Sequence, residues 1–315
     1  MASKSSAVLS RRDALCGALL ACFGAGYLRL SRAADSPSAA PLITKTVPSS
    51  GEKVPAIGLG TDSFRVSESD AIRDEIKRMH ELGGSVIDTA AAYGDSEALI
   101  GDALAALAIR EHMFLATKLT ADGFFSSGGG GEASFHRSLE RLKTQRIDLL
   151  QVHNLNGVDS LMPLLQQWKK AGKIRYLGVT TSRVSQHGEI VEAMRKYPLD
   201  FIQVDYSIAN RDAAASVFPV ALERRVAVLA NLPLARAALI GQAGERKLPD
   251  WAAEIDVSSW SQFFLKYVIS HPAVTCAIPG STKVAHLEDN QAAARGRLPD
   301  ATTRLKMEKF WDGMA

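Results

Sequence analysis

Residues 71–94 read AIRDEIKRMHELGGSVIDTAAAYG. The first half sets Ile72, Ile76, Met79 and Leu82 three or four positions apart, so residues 71–82 are predicted as a helix with one apolar face. Gly83-Gly84 interrupt that pattern, and Ser85–Ala90 follows as a short apolar run that ends on Asp88-Thr89. Helix, glycine break and strand make half of a βαβ unit.

Outward from this stretch the same alternation recurs. Strands are expected at Ala56–Thr61, Ser85–Ala90, Met113–Leu119, Ile147–Asn154, Ile174–Thr181, Phe201–Ser207, Val226–Pro233 and Val274–Ser281. Amphipathic stretches such as Ser134–Leu142 lie between them, and Ser67, Asp95, Asp159 and Asp212 stand where helix caps are expected. Strands that alternate with helices pair in parallel, because each crossover returns the chain to the same end of the sheet. Eight such units imply an α/β fold, a closed (β/α)8 TIM barrel, in preference to an open doubly wound sheet. Ahead of the first strand, Leu42–Val54 alternates around Ser49-Ser50-Gly51, the pattern of a hairpin able to lie across the barrel floor. The run Gly128–Gly131 reads as a flexible loop; no Lys-Ser/Thr follows to make it a phosphate cradle.

The first 40 residues read differently. Arg11-Arg12 precede an apolar run from Ala14 to Leu28, shorter than the roughly 20 residues a membrane-spanning helix needs. A charged start, an apolar middle and small residues at Ala33-Ala34 or Ala39-Ala40 make an export signal. The paired arginines resemble the twin-arginine class, whose machinery exports folded proteins. Residues 1–34 are therefore expected to be a signal peptide cleaved at about 34–40, with 41–315 as one barrel domain in the periplasm and no stable membrane anchor.

The chain carries 37 basic and 34 acidic residues; the leader holds five of the former and one of the latter, which leaves 32 and 33. A nearly neutral body offers no basic surface for nucleic acid. The seven histidines are scattered, and Cys276 is the one cysteine beyond the leader, so no metal site is implied. No Ser nucleophile elbow is present, which removes support for acyl transfer.

In a barrel the chemistry sits where strands end. Asp88 and Tyr93 follow strand two in Asp88-Thr89-Ala90-Ala91-Ala92-Tyr93-Gly94; Lys118 ends strand three, and His153 ends strand four. With Ser138-Leu139-Glu140-Arg141-Leu142 leading into Ile147-Asp148-Leu149-Leu150 and His153, these residues resemble the aldo-keto reductases in order and spacing, and the likeness runs from about Val54 to the C-terminus. The resemblance implies hydride transfer between NADP(H) and a small aldehyde or ketone. Tyr93 would be the general acid and base, Lys118 would lower its pKa, Asp88 would hold Lys118, and His153 would bind the substrate oxygen.

The resemblance also implies a cofactor site. Thr180, Thr181 and Gln203 would grip the nicotinamide carboxamide, beside Asn231, Leu232 and Leu234. Gly280, Ser281, Thr282, Lys283 and His286 would hold the phosphates near a helix starting at Val284, and Asp289 and Asn290 would meet the adenine. His286 stands where many relatives carry Arg, so NAD stays open beside NADP. Thr181 replaces a common Asn, and Asn231 replaces a common aromatic ring, for which Tyr206 is a substitute unless it belongs to the core. Phe124, Phe125 and the loop from Ala235 to Val257 are expected around the substrate, with Asn154–Val158 too short to enclose a large one. A non-catalytic, redox-sensing NADP-binding module is the alternative reading, and an aldolase using Lys118 as a Schiff base is a third.

Overall fold

The computed structural model describes residues 40–121 and 131–314. The leader, Phe124, Phe125 and Gly128–Gly130 lie outside the described residues. The eight expected strands are present, in parallel and in sequence order around the sheet. They are β3 (Leu59–Gly60), β4 (Val86–Asp88), β5 (Phe114–Leu119), β6 (Ile147–Val152), β7 (Ile174–Thr180), β8 (Phe201–Asp205), β9 (Ala227–Asn231) and β10 (Val274–Ala277). Parallel bridges Ile57–Ala277 and Gly60–Gly280 join the two ends and close the ring. Glycine is required at position 60, because a Cβ there would stand 2.9 Å from the Ile278 carbonyl oxygen across that seam.

Helices pack outside. The first, α1 (Ser69–Glu81), buries Ile72, Ile76 and Met79, the face expected from their spacing. It is followed by α2 (Ser96–Leu107), α3 (Gly131–Arg141), α4 (Val158–Lys170), α5 (His187–Lys196), α6 (Asp212–Ser216), α7 (Phe218–Arg224), α8 (Ala238–Ala243), α9 (Trp260–Ile269), α10 (Val284–Ala292) and α11 (Ala301–Asp312). The expected caps differ from those observed. Asp95 occupies a cap position without a side-chain cap bond, Ser67 sits in a short turn before α1, and Asp159 and Asp212 lie inside their helices. Side-chain capping falls instead to Ser259, which accepts from Gln262 N at 3.1 Å, and Asp300, which accepts from Thr303 N at 2.7 Å. Each of these has the extended backbone that aims a cap side chain at the first turn.

The barrel interior shows how strand periodicity builds a site. Side chains alternate along a strand, so every second residue faces inward. On β5 these are Phe114, Ala116 and Lys118; on β7 Tyr176, Gly178 and Thr180; on β8 Phe201 and Gln203; on β9 Ala227, Leu229 and Asn231. The early members are apolar. Phe114, Tyr176 and Phe201 pack ring against ring at centroid distances of 5.3 to 5.9 Å. The last members are polar. Below them β1 (Thr44–Thr46) and β2 (Lys53–Pro55) form the expected hairpin, and its Val47 and Val54 join the same apolar cluster. The floor is thereby sealed, and polar groups remain at the C-terminal mouth.

Candidate active site

Asp88 closes β4 and Lys118 lies near the end of β5, the strand beside it. Lys118 Nζ donates to Asp88 Oδ2 at 2.6 Å and to the Thr89 carbonyl at 2.7 Å. Gln203 on β8 donates to the other Asp88 oxygen at 2.8 Å from across the barrel. Both charged side chains are buried, so each depends on the other for charge compensation. A row of hydroxyls fixes the strand end: Ser96 donates to Thr61 at 2.8 Å, and Thr61 donates to the Asp88 carbonyl at 2.9 Å.

Tyr93 stands over this pair. Lys118 Nζ lies 4.9 Å from the centre of its ring, and His153 meets the ring edge-on at 5.7 Å. The four residues named from the sequence for catalysis therefore converge. Burial works against the Lys118 charge, but Asp88 and Tyr93 outweigh it and hold the ammonium above its ordinary pKa. Tyr93 departs from expectation. Burial raises its pKa more than Lys118 lowers it, so the hydroxyl keeps its proton. Burial, reinforced by the nearby Lys118 charge, drives His153 down to about 3, which makes it a neutral imidazole.

Asp88, Tyr93 and His153 line a cavity of about 560 Å³ at the barrel mouth, and Lys118 is buried beside them. Of the groups expected at the nicotinamide, Thr180, Gln203, Asn231, Leu232 and Leu234 reach its wall, as does Gly280. Thr180 Oγ1 accepts from Asn154 N at 3.1 Å. Thr181 faces elsewhere: its hydroxyl donates to Gln186 at 2.6 Å and accepts from Arg183 N at 3.1 Å, behind the wall. Asn231 donates through Nδ2 to the Thr181 carbonyl at 3.0 Å, which fixes the amide and leaves Oδ1 buried with no partner. Tyr206 belongs to the core, fully buried and hydrogen bonded to Tyr267 at 3.2 Å and Arg304 at 2.6 Å.

The expected phosphate loop continues from Gly280. Ser281 Oγ donates to the Lys283 carbonyl at 3.0 Å and accepts from Lys283 N at 3.1 Å, forming the tight turn that opens α10 at Val284. Thr282 is half-buried, Lys283 and His286 are exposed, and neither of the latter makes an ion pair among the described residues. Asn290 is buried. Asp289 is already engaged, accepting from Ser259 at 2.8 Å and Gln262 at 2.7 Å, so its carboxylate holds α9 in place.

Some lining residues were not anticipated. Asp62 and Ser63, just past β3, are among them. Position after a strand end was the available signal, and that loop carried no motif. Arg236 meets Asp62 at 2.8 Å across the rim. Leu232, Ala235, Arg236 and Ala237 all have positive φ, a conformation costly for side-chain-bearing residues. Within the loop expected to line the cavity, residues 235–257, only Arg236 and Ala237 do so.

Residues 56–305 match the aldo/keto reductase family. The chain belongs to that family. It is 29% identical over 273 residues to the methylglyoxal reductase YeaE of Escherichia coli, covering 82% of this chain and 92% of that one. It is 32% identical over 281 residues to an uncharacterized oxidoreductase of Mycobacterium tuberculosis, Rv2298, covering 77% of this chain and 85% of the relative. Among solved structures, an aldo/keto reductase from Klebsiella pneumoniae in complex with NADP and acetate superposes with a TM-score of 0.73. That pair is 24% identical and covers 85% of this chain and 95% of the other, a likeness of fold. With the family established, the barrel mouth of this aldo-keto reductase is its candidate active site, and carbonyl chemistry by an oxidoreductase is the class of reaction to which the geometry must answer.

Proposed function

We propose that this aldo-keto reductase moves a hydride between NADP(H) and a small aldehyde or ketone, with Tyr93 as the proton donor in reduction and acceptor in oxidation. The observation that carries this reading is the buried Asp88–Lys118 pair lying against Tyr93 and His153 at one cavity. The wall also fits a nicotinamide nucleotide. Asn231 Oδ1 is a buried acceptor without a partner, matched to an amide N–H, while the Ser281–Lys283 turn and the first amides of α10 suit phosphate oxygens.

When bound, NADPH supplies the hydride. The chain's own residues handle the proton and the charge. Tyr93 keeps its proton at neutral pH and can donate it to a carbonyl oxygen. The Lys118 ammonium then compensates the phenolate left behind, and Asp88 with Gln203 prevents Lys118 from swinging away. His153, neutral, donates a hydrogen bond to the same oxygen. A cavity of about 560 Å³ shared with the nicotinamide leaves room for a small substrate.

Titration of leaderless protein with NADPH and NADH, followed by Trp fluorescence, tests the cofactor assignment. Tight NADPH binding with weaker NADH binding supports it, and binding of neither nucleotide overturns it. Turnover of generic aldehydes then separates the enzyme from a non-catalytic nucleotide-binding module.

Export enters the same proposal. Among the described residues no helix is long and apolar enough to cross a membrane. Arg11-Arg12 and the apolar run behind them support passage through the twin-arginine machinery, the folded barrel carrying its nucleotide to the periplasm. Exported protein purified without nucleotide would sink this part of the reading.

A further inference from the structure

Among the buried acids that the reaction does not use, Glu75 is the one whose carboxyl oxygens are left without a partner among the described residues. It lies on the inner face of α1 with no exposed surface, and neither carboxyl oxygen has a hydrogen-bond partner. The Ser281 hydroxyl, whose own bonds hold the turn into α10, lies near enough to act on its charge. A carboxylate without partners at that place is set against the loop proposed to hold phosphate. Two negative charges brought together away from water repel strongly, and a proton on one of them removes the conflict.

The surrounding groups do not neutralise it. Glu68, on the turn before α1, adds negative charge. Along the seam between α1 and α10, Arg78 is committed to Glu288 at 2.6 Å and to Glu81 at 3.1 Å. From α2 the buried acid Glu97 is held by Arg141 at 2.5 Å and Thr117 at 2.6 Å. Lys283 and His286, on the loop and α10, are exposed to solvent.

We infer that Glu75 is a proton-linked positioning residue for the Ser281–Lys283 loop, taking one proton from solvent when a phosphate dianion binds there and opposing that anion when ionised. Burial already moves its carboxyl up to about 7, so the change falls near neutrality. The inference rests on the proposed assignment of that loop to the cofactor phosphates. It adds that NADPH binding weakens with rising pH through a residue that touches neither nicotinamide nor substrate.

The experiment measures dissociation constants for NADPH and for adenosine 2′,5′-bisphosphate across pH by calorimetry, in buffers of differing ionisation enthalpy. Wild-type affinity is expected to fall by as much as about tenfold per pH unit above neutrality, with uptake of close to one proton. Glu75→Gln is expected to bind at high pH as wild type does at low pH, with little remaining dependence. A His286→Gln variant should keep the slope. If the slope survives in Glu75→Gln and vanishes in His286→Gln, the histidine owns it and the inference fails. Infrared difference spectra of the nucleotide-free protein provide a separate readout: a buried carboxyl band that titrates near neutrality and is absent from Glu75→Gln. Absence of that band from wild type, together with a wild-type affinity that does not change with pH, also overturns the inference. Failure of either ligand to bind at any pH would remove the phosphate-site assignment itself, whatever the infrared band shows.

Discussion

Lys118 Nζ and Asp88 Oδ2 meet at 2.6 Å with side chains only 1% and 4% exposed. Neither charge has water to fall back on, so the pair is a mutual dependency. Asp88→Asn would leave the ammonium with neutral acceptors alone. The expected cost is about 3–5 kcal/mol of folding stability, read from urea unfolding. An unfolding midpoint equal to wild type would show that the pair is not compensated as described.

Tyr93→Phe keeps the ring against His153 and Lys118 and removes only the hydroxyl. Aldehyde reduction should fall by on the order of 10²–10⁴-fold in kcat. NADPH affinity and melting temperature should stay close to wild type. A variant that still turns over at near wild-type rate would remove Tyr93 from the acid role.

The pH profile follows from the same residues. Tyr93 is held above its ordinary value chiefly by burial, so its proton is present across neutrality. His153, lowered to about 3, stays neutral over that range. With both substrates saturating, reduction should be flat from about pH 6 to pH 9 and fall only as Tyr93 ionises. Oxidation of an alcohol needs the phenolate and should rise with pH instead. A reduction profile that drops at neutrality would place another group in the proton path.

Glu75→Gln should also change stability, with a defined sign. The native carboxyl is raised from 4.5 to about 7, so it stays neutral while the unfolded chain has already ionised. The stability that goes with the neutral carboxyl is complete below the unfolded pKa and is lost as pH rises to the folded one. Wild type and variant should therefore be similar near the acid end of that window. Above neutrality the variant should be more stable by up to about 3 kcal/mol. Paired urea titrations on either side of the window check this, and a gap that does not grow with pH would contradict the burial of an unpaired carboxyl.

The barrel was legible because its signals are local. Alternation along β5 or β9 states which side chains share a face, and Ile72, Ile76 and Met79 state which face of α1 is buried. Strand ends placed Asp88, Lys118 and His153 at the mouth, and the resemblance to the aldo-keto reductases named the catalytic quartet and the cofactor residues, of which Thr180, Gln203, Asn231, Leu232, Leu234 and Gly280 reach the cavity wall. Helix caps were less legible, since Asp159 and Asp212 have the right chemistry but sit two residues and one residue past the cap positions of their helices.

Order along the chain was enough for strand number, strand direction and the polar character of the mouth, because hydrophobic period and turn chemistry act over a few residues. Assembly settled the rest. Thr181 lost its place at the wall to a bond with Gln186, and Arg236 found Asp62 from 174 residues away. Glu75 reads as one more surface acid until packing removes it from solvent. Tyr93 was expected to be acidified by Lys118 and is held protonated by burial instead. Each of these turns on desolvation or on a partner distant in sequence, and both are properties of the packed surroundings of a residue, which no local pattern encodes.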